Sequence, residues 1–342
     1  MKKFLLVITL IVLLSILSLA ETKIVSLDES IMKPAQIVVG DKQVYITEGT
    51  TISIFSNTDY KFISKFGKKG EGPGEIQGSR RGNVSFSIIP MKDKLYLFNR
   101  NKVMYFSLKG KFLSEKRLAS GFVRDLLPVN DKYVGRSMIR GKNRSMKTAI
   151  NMFSKDLSTK KLFYGTEKST ERGSRFKHFM ADNIFIIKTN QDKVYINDTK
   201  DLLIKVLDKT GKKTGEIKYN FKLSKVTDQT KKEIKNYYKT DPTFKTFYDR
   251  IKNRIEVGNT YNAIKDFFID KDTIYVQTYN KTENGVKFLI FNTSGKFIKE
   301  TVLPLKSINI FDFFPYYIKN NTLYQIVENE DEEEWELHIS KI

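Results

Sequence analysis

Short segments of alternating apolar and polar residues recur along most of the chain, and the most recognisable places a tyrosine between two apolar neighbours. Copies stand at Val44-Tyr45-Ile46, Leu95-Tyr96-Leu97, Val194-Tyr195-Ile196, Ile274-Tyr275-Val276 and Leu323-Tyr324-Gln325, with a less regular one at Tyr133-Val134. Ahead of them lie short turns such as Gly40-Asp41-Lys42, Lys92-Asp93-Lys94 or Asn320-Asn321, and ahead of each turn another apolar strand, as at 37–39, 86–89 or 267–269. This is hairpin chemistry. A third strand and a turn follow, as in 103–108 then Lys109-Gly110-Lys111, or 288–291 then Ser294-Gly295-Lys296, and then a fourth strand, as in 61–66, 112–118, 214–219 and 297–303. Four short antiparallel strands repeated six times predict an all-β, six-bladed β-propeller.

The sixth copy has only three strands, at 311–318, 322–328 and 334–340, which would leave an exposed sheet edge and an open ring. Residues 22–27 form a strand without a partner in the first copy. They are predicted to supply the outer strand of the last blade and close the ring. Between the fourth and fifth copies the period changes. Thr230-Lys231-Lys232-Glu233 reads as a capping box, Asp241-Pro242 as an N-cap with proline in the first turn, and Phe244, Phe247, Tyr248, Ile251 and Ile255 recur at helical spacing. A helical hairpin over 225–257 is therefore expected, laid on the propeller through its aromatic stripe.

Residues 1–20 begin with Lys2 and Lys3, continue with an apolar run and end with Ser18 and Ala20 in small-residue positions. That is a signal-peptide pattern, too short and too interrupted by Thr9, Ser15 and Ser18 for a membrane anchor. It predicts a mature propeller over 21–342, exported to the periplasm or the medium, with no membrane span after cleavage. There is no cysteine, so neither disulfides nor thiolate metal sites hold the fold. An apolar content of 40%, with 25 Phe and 17 Tyr, points to a large aromatic core instead. The net charge of +21, or +19 without Lys2 and Lys3, favours anionic partners, although the bases are spread through every copy, apart from 132–147 and the helical segment. No nucleic-acid motif accompanies them, and an exported chain is a poor candidate for that role.

The first two copies are joined by Phe66-Gly67-Lys68-Lys69-Gly70-Glu71-Gly72-Pro73-Gly74-Glu75-Ile76-Gln77. Its glycine spacing does not match a phosphate-binding loop, and strand alternation rather than a helix follows it, so it reads as a shaped crossover. Only Glu75, with Arg80 and Arg81 after it, is left for a ligand. The Gly70-Glu71-Gly72-Pro73-Gly74-Glu75 sequence resembles the G-x-G-P-G-E signature of a six-bladed β-propeller family common in exported bacterial proteins and related to NHL-repeat propellers. Many relatives in that family carry a lipid-attachment cysteine after the signal; this chain lacks it, which implies release rather than tethering. The family also often carries an insertion where the helical segment falls here.

Candidate chemistry is sparse. Two histidines, His178 and His338, stand in different copies, which argues against a multi-histidine zinc site. Asp125 and Asp266 begin inner strands, and each follows a base, Arg124 and Lys265. They either line one mouth of the channel, with oxygen ligands for Ca²⁺ or Mg²⁺, or pair with nearby bases. No nucleophile elbow is present. The acidic run 328–336, with Trp335, reads as a solvated hairpin. The leading expectation is a monomeric binding or scaffold protein without cofactor, holding a protein or anionic ligand on the inter-blade loops through Glu75, Arg80, Arg81, Arg124, Asp125, Lys265 and Asp266. The alternatives are a metal-assisted hydrolase or lyase at the channel mouth, and electrostatic docking on anionic envelope polymers.

Overall fold

The computed structural model describes residues 22–78, 86–118, 123–140, 146–170, 176–177, 186–197, 203–220, 222–242, 244–309 and 312–342. The expected signal peptide, Arg80, Arg81 and His178 lie outside the described residues. Six four-stranded antiparallel sheets form the blades. We label the strands of each blade A to D from the inside outwards. Blade 1 is built from Gln36–Val39, Gln43–Glu48, Thr51–Ser56 and Phe62–Phe66, and blade 2 from Ser87–Pro90, Lys94–Asn99, Lys102–Ser107 and Phe112–Arg117. Blade 3 comprises Val123–Val129, Lys132–Arg140, Met146–Phe153 and Lys160–Thr170, and blade 4 Ile186–Asn190, Lys193–Asn197, Leu203–Asp208 and Lys213–Lys218. Blade 5 comprises Asp266–Asp270, Thr273–Thr282, Gly285–Asn292 and Phe297–Leu303, and blade 6 Tyr316–Lys319, Thr322–Asn329 and Glu334–Lys341.

The fourth strand of blade 6 is Lys23–Ser26, antiparallel to Glu334–Lys341 in a register that pairs Lys23 with Ile339 and Ser26 with Glu336. The expected closure by the amino-terminal strand is therefore present. Leu27 N donates to Trp335 O (2.8 Å) and Trp335 Nε1 to Met32 O (3.0 Å), while Leu27 and Ile31 are buried against Leu337 and Ile339.

Apolar side chains collect between blades, in one cluster for each of the six neighbouring pairs. The landmark tyrosine explains itself in this arrangement. Tyr45, Tyr96, Tyr195 and Tyr275 are fully buried on strand B, and three of these rings carry a hydroxyl to the next blade. Tyr45 Oη donates to Leu108 O (3.2 Å), Tyr96 Oη to Leu126 O (2.6 Å) and Tyr275 Oη to Asn321 Oδ1 (3.1 Å). A phenylalanine would fill the same volume but leave a buried acceptor without its donor.

The helical insertion lies between blades 4 and 5 and differs in detail from the sequence reading. Its first helix, α1 (Asp228–Thr240), is capped by Thr227, whose side chain accepts from Thr230 N; Thr230 is inside the first turn rather than at the cap. Asp241 ends this helix instead of starting another, and its carbonyl accepts from Phe244 N and Lys245 N. The second segment is broken into a 3₁₀ turn, α2 (Tyr248–Ile251) and a further 3₁₀ turn. The aromatic stripe does pack inwards: Ile234, Tyr238 and Ile251 are buried among Phe244, Phe247, Tyr261 and Tyr279, and Tyr279 belongs to blade 5.

Candidate ligand cleft

The glycine-rich crossover is saturated by its own contacts. Glu75 Oε2 accepts from Gly72 N (2.9 Å) and Glu75 Oε1 pairs with Lys68 Nζ (2.7 Å). The Lys68 ammonium, helped by the Gly72 amide, holds this carboxyl below its ordinary range. Gly74, at φ 71°, sits so close to Phe112 that a Cβ would come within 2.7 Å of the ring. Its amide donates to Glu115 Oε2 (3.1 Å). Beneath the loop the buried Lys102 Nζ donates to Gly72 O (2.9 Å) and Glu75 O (2.8 Å) and pairs with Glu115 (3.6 Å). Burial pushes the Glu115 carboxyl up, but the Gly74 amide, Arg117 and Lys102 more than offset it. The motif fastens blade 1 to the outer part of blade 2, and Glu75 is a constituent of that fastening.

Asp125 and Asp266 are both placed on inner strands, and each has a basic partner from another strand. Asp125 lies in the irregular start of its strand, between Arg124 and Leu127, with positive φ, and pairs with Arg136 of strand B. Asp266 accepts from Phe267 N (2.8 Å) and pairs with Lys188 of blade 4 at 3.3 Å. Among the described residues no group of three or more His, Cys, Asp and Glu is placed to hold a metal ion.

Of the residues named from sequence, Lys265 borders a distinct cavity. A cleft of about 360 Å³ lies between the helical insertion and blade 5, with Phe313 of the following crossover on one side. Its origin is a break in the ladder. The register of strands B and C shifts between Gln277 and Lys281, so Thr278, Tyr279 and Asn280 leave the regular pairing and line the cleft. Tyr279 stacks on Tyr261 at 5.1 Å between centroids. Ser224 donates to the Asn280 side chain, and Thr278 Oγ1 to Lys287 O (2.8 Å), so the loop and the sheet edge are tied together. Glu233 and Thr230 of α1 complete the wall opposite.

Lys265 Nζ lies 4.0 Å from the centroid of Phe313 and Lys281 Nζ 5.2 Å from the same ring. Burial, reinforced by Lys281, pulls the Lys265 ammonium down to about 8, although Asp312 and Asp266 oppose the shift. Lys281 is lowered by burial as well, with Asp312 and Glu233 opposing. Two cations against one aromatic ring, with phenols and hydroxyls around them, make a site chemically suited to an anion attached to a flat or apolar body. Sequence reasoning named Lys265 but missed Lys281, Tyr261, Tyr279 and Phe313; Asp266, named with it, pairs with Lys188 and does not line the cleft. The available signal was the length of the second strand of blade 5, which runs to Thr282, past the end of the repeat.

The chain belongs to the DUF5128 family, described as 6-bladed beta-propeller, whose profile matches residues 25–195. Among solved structures it is similar to a candidate exported protein of Bacteroides fragilis, at 14% identity and a TM-score of 0.54, covering 95% of this chain and 96% of that one. It is also similar to a DUF4221-family member of Bacteroides vulgatus, at 12% identity and a TM-score of 0.52, covering 95% and 98%. At such identities the likeness concerns the fold. No protein of curated function matches the sequence. Among the described residues no helix is long and apolar enough to cross a membrane.

Proposed function

We propose that this propeller is an exported binding protein that holds an anionic ligand in the cleft beneath its helical insertion, with Lys265 and Lys281 as the charge-reading groups. The observation that carries this is the convergence of both ammonium groups on Phe313, at 4.0 and 5.2 Å, in a cavity walled by Tyr261 and Tyr279. Burial and the neighbouring Lys281 disfavour the Lys265 ammonium even with Asp312 and Asp266 opposing them, and a bound carboxylate or phosphate would add to that compensation. Export is supported by the amino-terminal pattern of residues 1–20 and by the description of the Bacteroides fragilis neighbour. Binding rather than chemistry is favoured because Asp125 and Asp266 are each engaged by a base.

The test is calorimetric titration of wild type and Lys265→Gln with citrate and with inorganic phosphate, at pH 7 and pH 9. Saturable binding of either anion by wild type at pH 7 is expected, weakened about tenfold in the variant and again at pH 9, where Lys265 is neutral. Equal binding by both proteins, or no binding of either anion, overturns the reading.

A further inference from the structure

Each blade is an antiparallel meander entered at its inner strand, so the A–B and C–D turns lie at one end of every sheet and the crossovers and B–C turns at the other. On the C–D side a feature recurs that the cleft does not involve. Where strand D begins, the ladder shifts register in blades 1 to 5, between Ile54 and Phe55, Tyr105 and Phe106, Ile150 and Asn151, Val206 and Leu207, and Ile290 and Phe291. The extra residue on strand D is Ile63 in blade 1, Leu113 in blade 2 and Ile298 in blade 5. In blade 3 the extra residue is the half-buried Phe163, with the exposed Leu162 just before it, and in the amino-terminal strand of blade 6, which has no bulge, the exposed Ile24 pairs with His338. The five aliphatic side chains are 49–57% exposed; Thr214 occupies the position in blade 4.

A bulge alone would turn an edge strand away from other sheets, and polar residues would serve there equally well. Repeated isoleucine and leucine at that point expose apolar surface that edge protection does not require. Lysine accompanies each of them. Lys23, Lys61, Lys161 and their counterparts Lys111 and Lys296 precede the aliphatic residue by one or two positions. The stretches 22–24, 57–63, 108–113, 154–162, 208–214 and 292–298 together hold eleven lysines against three aspartates and no other charged residue. Those aspartates, Asp59, Asp156 and Asp208, accept from amides of their own turns. The A–B turns of the same end carry Asp41, Asp93, Asp131, Asp192 and Asp272, each next to a lysine, and the opposite end carries both the basic helical insertion and Glu330-Asp331-Glu332-Glu333 in the B–C turn of blade 6. On the lysine-bearing side a groove of about 340 Å³ between blades 2 and 3 is lined by Lys94, Lys116 and Lys155, with one carboxylate, Asp131, beside Leu113 and the phenols Tyr105 and Tyr133.

We propose that this rim docks the propeller, C–D turns first, on a bilayer containing anionic lipid. The lysines meet the headgroups, the five aliphatic side chains enter the headgroup boundary, and the groove between blades 2 and 3 takes a headgroup phosphate. The anchors sit on separate blades around the ring, so an extended flat partner reaches all of them, whereas a peptide in one groove reaches one or two. A soluble polyanion would use the lysines and leave the aliphatic residues without a role. This surface is independent of the cleft.

The experiment is co-sedimentation with vesicles of mixed phosphatidylglycerol and phosphatidylcholine and with vesicles of phosphatidylcholine alone. Wild type is expected to bind the anionic vesicles selectively. The triple variant Ile63→Ser, Leu113→Ser, Ile298→Ser should keep its melting temperature, since the sites are half exposed, and lose about tenfold in partitioning. The chain has no cysteine, so Leu113→Cys and Asp331→Cys can each carry one environment-sensitive dye. A blue shift on vesicle addition is expected at position 113 and not at 331. Failure to bind anionic vesicles overturns the proposal. So does a response at position 331 rather than 113. Undiminished binding by the triple variant, with dextran sulfate bound equally by both proteins, would overturn it in favour of a polyanion surface.

Discussion

Two crossovers on the same side of the ring reach opposite outcomes. The one between blades 1 and 2 carries the most conspicuous motif in the sequence, and its charges go into holding the loop: Glu75 is taken by Lys68 and Gly72, and Lys102 of blade 2 beneath it by two of the loop's carbonyls and Glu115. The one between blades 4 and 5 carries only helix signals and no ligand motif, yet it overhangs a cavity in which Lys265 and Lys281 are crowded against one ring. A distinctive sequence therefore marks a demanding backbone shape here. The candidate site lies where the repeat is interrupted and two ammonium groups meet one ring.

Three substitutions probe that contrast. The largest effect is expected from Lys102→Met, which strips a buried cation from two carbonyls and Glu115 and should cost about 3 kcal/mol in denaturant unfolding. Anion binding in the cleft should survive it; loss of binding would mean that the two crossovers are coupled. Next comes Lys265→Met, expected to stabilise the fold on the order of 2 kcal/mol at pH 7 by removing a desolvated charge. The folded ammonium titrates near 8 and the unfolded one near 10.5. Wild type therefore sheds the penalty as pH rises through that interval, and the gap between the two proteins should close by about pH 10.5 in melts. A gap that stays constant across that range would contradict burial of the charge. The smallest effect is expected from Glu75→Gln. Its folded carboxyl is depressed from 4.5, so it contributes stability above that pH and loses it on acidification. A slightly lower melting temperature at pH 7, converging with wild type in acid, is expected, with no change in anion binding.

The blades were legible because a period of two is imposed by the pleat and each strand obeys it locally. The partnerless strand at 22–27 was legible for a related reason: an incomplete last sheet needs an edge covered, and its pairing to Glu334–Lys341 satisfies that need. Helix boundaries were less so. Thr230 and Thr227 are both plausible caps three residues apart, and only the backbone shows that Thr227 holds Thr230 N. The spacing of Phe244, Phe247 and Tyr248 told which side chains pack together, not that the helix around them is continuous. The cleft was legible only through Lys265. Lys281, Tyr261 and Phe313 come from three further segments, and no local pattern records that they meet.

The pairing of Lys23 with Ile339 has a temporal consequence. Strand Lys23–Ser26 precedes blade 1 in the chain, yet its partner Glu334–Lys341 follows all of the first five blades, so the ring cannot close until every blade has been synthesised. A product truncated before Glu334–Lys341 therefore cannot form the finished ring, and its amino-terminal strand is left without a partner.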